Sequence, residues 1–173
     1  MTTSSDIRIY VACLAAYNNG ILHGAWIDAD QDVGDIQAEI AAMLKASPIP
    51  GAEEWAIHDY EGFEGLDVSE YEGIGGVVRK AAFISEHGAL GAAVANYYGG
   101  DLDDATRTMD EGYFGEYRTA ADFAEEVTEN TTDIPESLRF YIDYDRMARD
   151  MELSGDIFTI ETGFEEVHVF GCH

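Results

Sequence analysis

A chain of 173 residues with 46% hydrophobic and 12% aromatic content can bury a core and lacks the composition of a disordered segment. Its 35 Asp and Glu stand against 9 Lys and Arg, a formal net charge of -26. That surface repels nucleic acid and anionic lipid, which excludes a direct DNA binder and a basic membrane-surface helix, and it attracts strongly basic partners.

Cys13 and Cys172 are the two cysteines, far from a disulfide framework and suited to a reducing compartment. The longest apolar stretch, 89–98, is broken by Gly91 and Asn96 and is too short to span a bilayer. Asp6 and Arg8 interrupt the N-terminal apolar run and no basic segment precedes it, so no signal peptide is read and a cytoplasmic location is expected.

In chain order, Ile7, Ile9 and Val11 alternate with Arg8 and Tyr10, the period of a half-buried strand. Asn18-Asn19-Gly20 reads as a turn and residues 21–27 as a second strand. Val33, Ile36, Ile40, Met43 and Leu44 recur at helical spacing, with Asp32 as the expected N-cap and Pro48, Pro50 and Gly51 as the stop. Trp55 to Tyr60 completes a ββαβ-like module over residues 1–61. Between 62 and 104 glycines give way to alanine-rich text, and Val77 to Ile84 and Leu90 to Tyr97 read as two helices ended by Gly99-Gly100. Residues 105–173 return to mixed character: a helix over 120–127 with Phe123 and Val127 inward, a turn or short helix from Pro135, a helix through Tyr144, Met147, Ala148 and Met151 capped by Asp143, and strands at 157–160 and 167–170. The expectation is an α+β fold of three small modules in a row.

No motif nominates a catalytic site. Asp28, Asp30, Asp32 and Glu39 fall at positions one, three, five and twelve of a calcium loop, but the sixth position needs glycine and holds Val33. An acidic strand-to-helix turn accounts for them better. Gly73-Ile74-Gly75-Gly76 opens a helix without a following Lys-Ser/Thr and beside Glu70 and Glu72, which argues against a phosphate cradle. His23, His58, His87, His168 and His173 show no metal spacing, and His58-Asp59 has no nucleophile placed with it. A non-enzymatic protein without cofactor or metal is expected.

The acids are dispersed among ten tyrosines and eight phenylalanines, the pattern of a folded body coated with carboxylates. At one phosphate charge per roughly 1.7 Å of duplex axis, the net charge matches about 44 Å of DNA. A globule of this length is about 40 Å across, so the charge density approaches that of DNA. Arg and Lys accept carboxylates in place of phosphates, and DNA mimicry is physically permitted. A salt-adapted or calcium-responsive acidic binding module, without mimicry, is the competing reading.

The residue text favours the first and leaves the second open to test by calcium against general salt. Ile9-Tyr-Val-Ala-Cys-Leu-Ala-Ala-Tyr-Asn-Asn-Gly20, Leu22-His-Gly24, Trp26-Ile-Asp28 and Glu53-Glu-Trp-Ala-Ile-His-Asp-Tyr-Glu-Gly-Phe63 resemble the antirestriction proteins of the ArdA family. So do Ile134-Pro135, Tyr141-Ile-Asp-Tyr144 and Met147-Ala-Arg-Asp150. The resemblance implies a DNA mimic of mobile genetic elements that occupies the DNA groove of type I restriction-modification enzymes and blocks cleavage and modification. It also implies an elongated, homodimeric chain of three small domains. The expected mimic surface comprises Asp28, Asp30, Asp32, Asp35, Glu39, Glu61, Glu64, Asp67, Glu70 and Glu72 in the first part of the chain. Asp101, Asp103, Asp104, Asp110, Glu111, Glu116, Asp122, Glu125, Glu126 and Glu129 continue it. The family's antirestriction motif corresponds by resemblance to Asp122–Pro135, near a dimer interface for which Phe123, Val127 and Tyr141 are candidates.

Overall fold

The structure is a computed structural model that describes residues 6–172. It is an α+β fold with two antiparallel three-stranded sheets. The chain divides between Leu102 and Asp103 into two compact units. The boundary expected near residue 104 falls beside this division, and the one expected at 61 lies inside the first unit, where Phe63, Leu66 and Val68 are buried.

In the first unit, β1 (Arg8–Cys13) lies between β2 (Gly24–Asp28) and β3 (Trp55–Glu61). The alternation read from the sequence puts Ile9, Val11 and Ile27 inward, with Ile57 of β3 beside them. Ile36, Ile40 and Met43 are buried on the inward stripe of α2 (Val33–Lys45), which packs on the sheet. Burial of each such side chain contributes about 1.5–3 kcal/mol. Asp32 sits at the N-cap position, but its carboxylate makes no capping bond; its carbonyl accepts from Asp35 and Ile36 N–H at 3.1 Å each. β2 begins three residues later than the periodicity predicts, because a five-residue helix, α1 (Leu14–Asn18), takes up the chain after β1 and leaves Ile21 and Leu22 exposed.

Gly24 lies where β1 and β2 pair. A Cβ there would stand 2.4 Å from the Val11 carbonyl oxygen and 2.8 Å from the Tyr10 ring. Gly24→Ala is therefore expected to push the two strands apart and cost about 1–3 kcal/mol, read as a lowered midpoint in denaturant unfolding.

β1 and β3 are out of step at one place. Tyr10 pairs with Asp59 and Val11 with Ile57, which leaves His58 as the extra residue of a β-bulge. Beyond β3, a loop with Phe63, Leu66 and Val68 buried leads into α3 (Ile74–Tyr97). The two helices expected here are two helical segments that meet at Gly88, whose φ of +64° breaks the run. Gly99 and Gly100, at φ +68° and +94°, end the second segment as expected.

The division falls after the first residue of α4 (Leu102–Arg107), and the second unit continues with a π-helical turn at Thr108–Gly112 and β4 (Tyr113–Tyr117). Its sheet has the order β4-β6-β5, with β5 (Ile157–Gly163) and β6 (Glu166–Gly171) where the closing strands were expected. α5 (Ala120–Thr131) packs Phe123 against Ile157, Val167 and Val169, with Tyr117, Val127 and Met151 around them. Thr119 caps α5 by accepting from Asp122 N–H, and Asp143 caps α6 (Tyr144–Leu153) by accepting from Arg146 N–H at 3.0 Å. Between these helices a 3₁₀ turn spans Glu136–Tyr141. β4 was not read from the sequence: Gly115, at φ +128°, sits in a bulge that destroys the alternation of Tyr113-Phe114-Gly115-Glu116-Tyr117.

Candidate functional site

The fold turns the acids outward. Of the 20 expected surface carboxylates, Asp28, Glu72, Asp104 and Asp122 are half-buried and the other sixteen are exposed. α5 illustrates how this arises: the helical stripe that buries Phe123 and Ala124 leaves Glu125, Glu126 and Glu129 on the solvent side. Asp122, in its first turn, favours the helix dipole and accepts from Arg118 Nε at 3.0 Å.

Several of these acids are held by the few cations. Glu61 pairs with Arg8 and Asp104 with Arg107, while Glu129 lies 3.6 Å from Arg139. Glu72 faces inward: its Oε1 lies 2.6 Å from Lys80 Nζ, which also donates to the Asp67 carbonyl at 2.7 Å. The pair ties the loop after β3 to α3.

The calcium-loop spacing does not become a calcium loop. Its entering segment is β2, Val33 is the first residue of α2, and Gln31 Nε2 donates to Glu39 Oε2 at 2.5 Å. Asp28 Oδ1 accepts from Asp30 N–H at 3.0 Å, an Asx turn. Among the described residues no group of three or more His, Cys, Asp or Glu is placed to hold a metal ion. His173, weighed as a ligand with Cys172, lies outside the described residues. Gly73 to Gly76 does open α3, but the Glu72 side chain stands against Gly76, where a phosphate would meet a carboxylate. Nor is any helix of the described residues long and apolar enough to cross a membrane.

The second unit contains a polar network that sequence reasoning missed, because half of it stands on β4. Tyr113 hydroxyl and His168 Nδ1 share a hydrogen bond of 2.7 Å, and Thr162 Oγ1 lies 3.0 Å from His168 Nε2. Tyr117 hydroxyl donates to Glu126. Burial first, and then neighbouring carboxylates, raise three phenols: Tyr113 beside Glu116, Tyr144 beside Glu125 and Glu129, and Tyr117, pushed up to about 12 with Glu126 as its acceptor.

Tyr117 gives this arrangement a pH signature. An unfolded tyrosine titrates near 10, so the folded value is the higher one and the fold binds the proton more tightly. The stabilisation is complete below pH about 10 and is lost as pH rises towards about 12. Tyr117→Phe should flatten that alkaline decline in denaturant titrations at stepped pH; an unchanged decline would mean the phenol does not couple to folding.

The dimer candidates differ in placement. Phe123 is 4% exposed and belongs to the core of its own unit, Val127 is half-buried against that core, and Tyr141 is 84% exposed. Leu138 and Phe140 are exposed on the same 3₁₀ turn as Tyr141. The stretch Asp122–Pro135, matched above to the family's motif by resemblance alone, comprises most of α5 and the segment that follows it.

Among the described residues the geometry is that of a surface rich in exposed carboxylates. A search of curated proteins gives no match to the chain. The family model for the antirestriction protein (ArdA) matches residues 9–166, nearly the whole length, and the chain belongs to the ArdA antirestriction family.

Proposed function

We propose that the chain is a cytoplasmic, non-enzymatic DNA mimic that occupies the DNA-binding groove of type I restriction-modification enzymes and blocks both cleavage and modification. The observation that carries this reading is the outward placement of the carboxylates: sixteen of the 20 expected acids are exposed, on a chain of net charge -26. Arg and Lys side chains that bind phosphates accept such groups by charge-assisted hydrogen bonds. Recognition is shared over many acids, each worth little at a wet rim, so no single Asp or Glu is indispensable.

The active unit is a homodimer. A second copy of so acidic a chain is repelled everywhere except where local charge is balanced. Residues 134–149 carry Glu136, Asp143 and Asp145 against Arg139, Arg146 and Arg149, a balance of three and three. Leu138, Phe140 and Tyr141 are exposed within that stretch, so apolar burial there meets less repulsion than on the more acidic parts of the chain. Tyr141 is thus the contact residue of the three dimer candidates, whereas Phe123 serves the fold.

Inhibition of a purified type I restriction enzyme tests the reading. Cleavage should stop at a fixed ratio of this protein to enzyme, and added enzyme should restore it, with the DNA and the inhibitor chemically unchanged. Inhibition that persists with excess enzyme, or that consumes a substrate, contradicts it.

A further inference from the structure

The free edge of β3 carries a built pocket of about 450 Å³ in the first unit. Its floor is Ile57 and Val68, 4% and 6% exposed, and its walls are Tyr17, Tyr60, His58 and Glu70. Three features place these groups together. The bulge at His58 inserts one extra residue and turns its ring towards α1, where Tyr17 meets it edge-on at 4.9 Å. Ile57 N–H donates to the Glu70 carbonyl at 2.9 Å, which pins the loop along the strand edge. Glu70 Oε1 then stands 3.6 Å from His58 Nε2, within ion-pair reach but beyond a hydrogen bond. Tyr60 closes the other side, donating from its hydroxyl to Asp67 at 3.4 Å.

The chemistry is an apolar floor, aromatic faces and one reachable carboxylate, on a strongly negative molecule. Aromatic faces attract a cation by their quadrupole, and guanidinium stacks on them while forking onto a carboxylate. The methylenes of such a side chain suit the Ile57 and Val68 floor. We infer that this pocket receives an arginine side chain of the restriction enzyme and is the strongest single point of attachment on an otherwise distributed surface. This rests on the proposed function for the identity of the partner; the pocket's preference for a guanidinium does not.

Two measurements separate those parts. In an NMR titration of the full chain with Nα-acetyl-arginine amide, the ring signals of Tyr17 and His58 should shift, while the neutral citrulline analogue leaves them in place. Glu70→Gln should abolish the response; its backbone carbonyl, which holds the loop, is untouched by the change. Equal shifts with citrulline, or shifts that survive in E70Q, overturn the guanidinium assignment. In displacement of labelled DNA from a type I methyltransferase core, Glu70→Gln and Tyr17→Ala should each raise the concentration needed about tenfold. Glu111→Gln, at an exposed acid of the second unit, should raise it about twofold. If the wild type displaces DNA and E70Q matches E111Q, the pocket is not an attachment point. If the wild type leaves DNA bound, the functional reading fails and the partner assignment falls with it.

Discussion

Phe123→Ala should cost about 3–5 kcal/mol, the range for removing a buried aromatic ring from a packed core. Phe123 is 4% exposed, with Phe114 and Tyr117 at ring-centroid distances of 5.2 and 5.4 Å and with Ile157, Val167 and Val169 in the same cluster. The second unit has little reserve against such a loss. It carries 19 of the 35 acids, whose mutual repulsion opposes compaction, and a unit this small buries proportionately less surface than a large domain. Thermal unfolding followed by hydrogen exchange should therefore show β4, β5 and β6 losing protection well before the first unit does. Salt should restore part of the loss by screening the acids, and calcium should do no more than its ionic strength predicts. A variant whose melting temperature stays within about 2 °C of wild type would place Phe123 outside the core.

Replacing Phe140 and Tyr141 together by aspartate should convert the proposed dimer into monomers. The two rings are 89% and 84% exposed, so the fold should tolerate the change within about 0.5 kcal/mol per site. The variant turns a stretch of balanced charge into one with two additional negative charges on each chain. Contact between copies then sets like charges face to face in place of apolar burial, and each such pair is destabilising. Size-exclusion chromatography with light scattering should give the mass of one chain for the variant and two for the wild type. An intact variant dimer would move the interface away from the 3₁₀ turn. The contrast with Phe123→Ala is diagnostic, because that change acts on folding and this one on assembly.

Much of the fold is legible from hydrophobic period. Val33 to Leu44 and the stripe from Tyr144 to Met151 repeat at helical spacing, and both form helices where expected. Ile9 and Val11 alternate with polar neighbours and form the central strand of their sheet. Where the period fails, the fold departs from expectation for local reasons. Gly115 breaks the alternation of β4, and the expected cap Asp32 leaves its carboxylate unused at the start of α2. Pairings across long sequence separations are not legible at all. Arg8 finds Glu61, 53 residues away, and Tyr113 finds His168, 55 residues away; no spacing rule connects them. The acidic coat is visible in composition, but its division into exposed acids and acids held by Arg8, Lys80, Arg107, Arg118 and Arg139 depends on the fold. The Glu70 pocket is hidden for the same reason. It exists because one bulged residue and one loop hydrogen bond bring α1, β3 and the following loop together.

The most direct test of mimicry is a competition titration. A labelled DNA duplex is bound to a purified type I methyltransferase core, and this protein is added at several salt concentrations beside a charge-matched acidic protein of unrelated fold. Mimicry predicts stoichiometric displacement by this protein alone, with an end point that counts one dimer per groove and an affinity that falls as salt rises. Equal displacement by the control would reduce the effect to polyanion competition, and DNA that stays bound at every salt concentration would contradict the account.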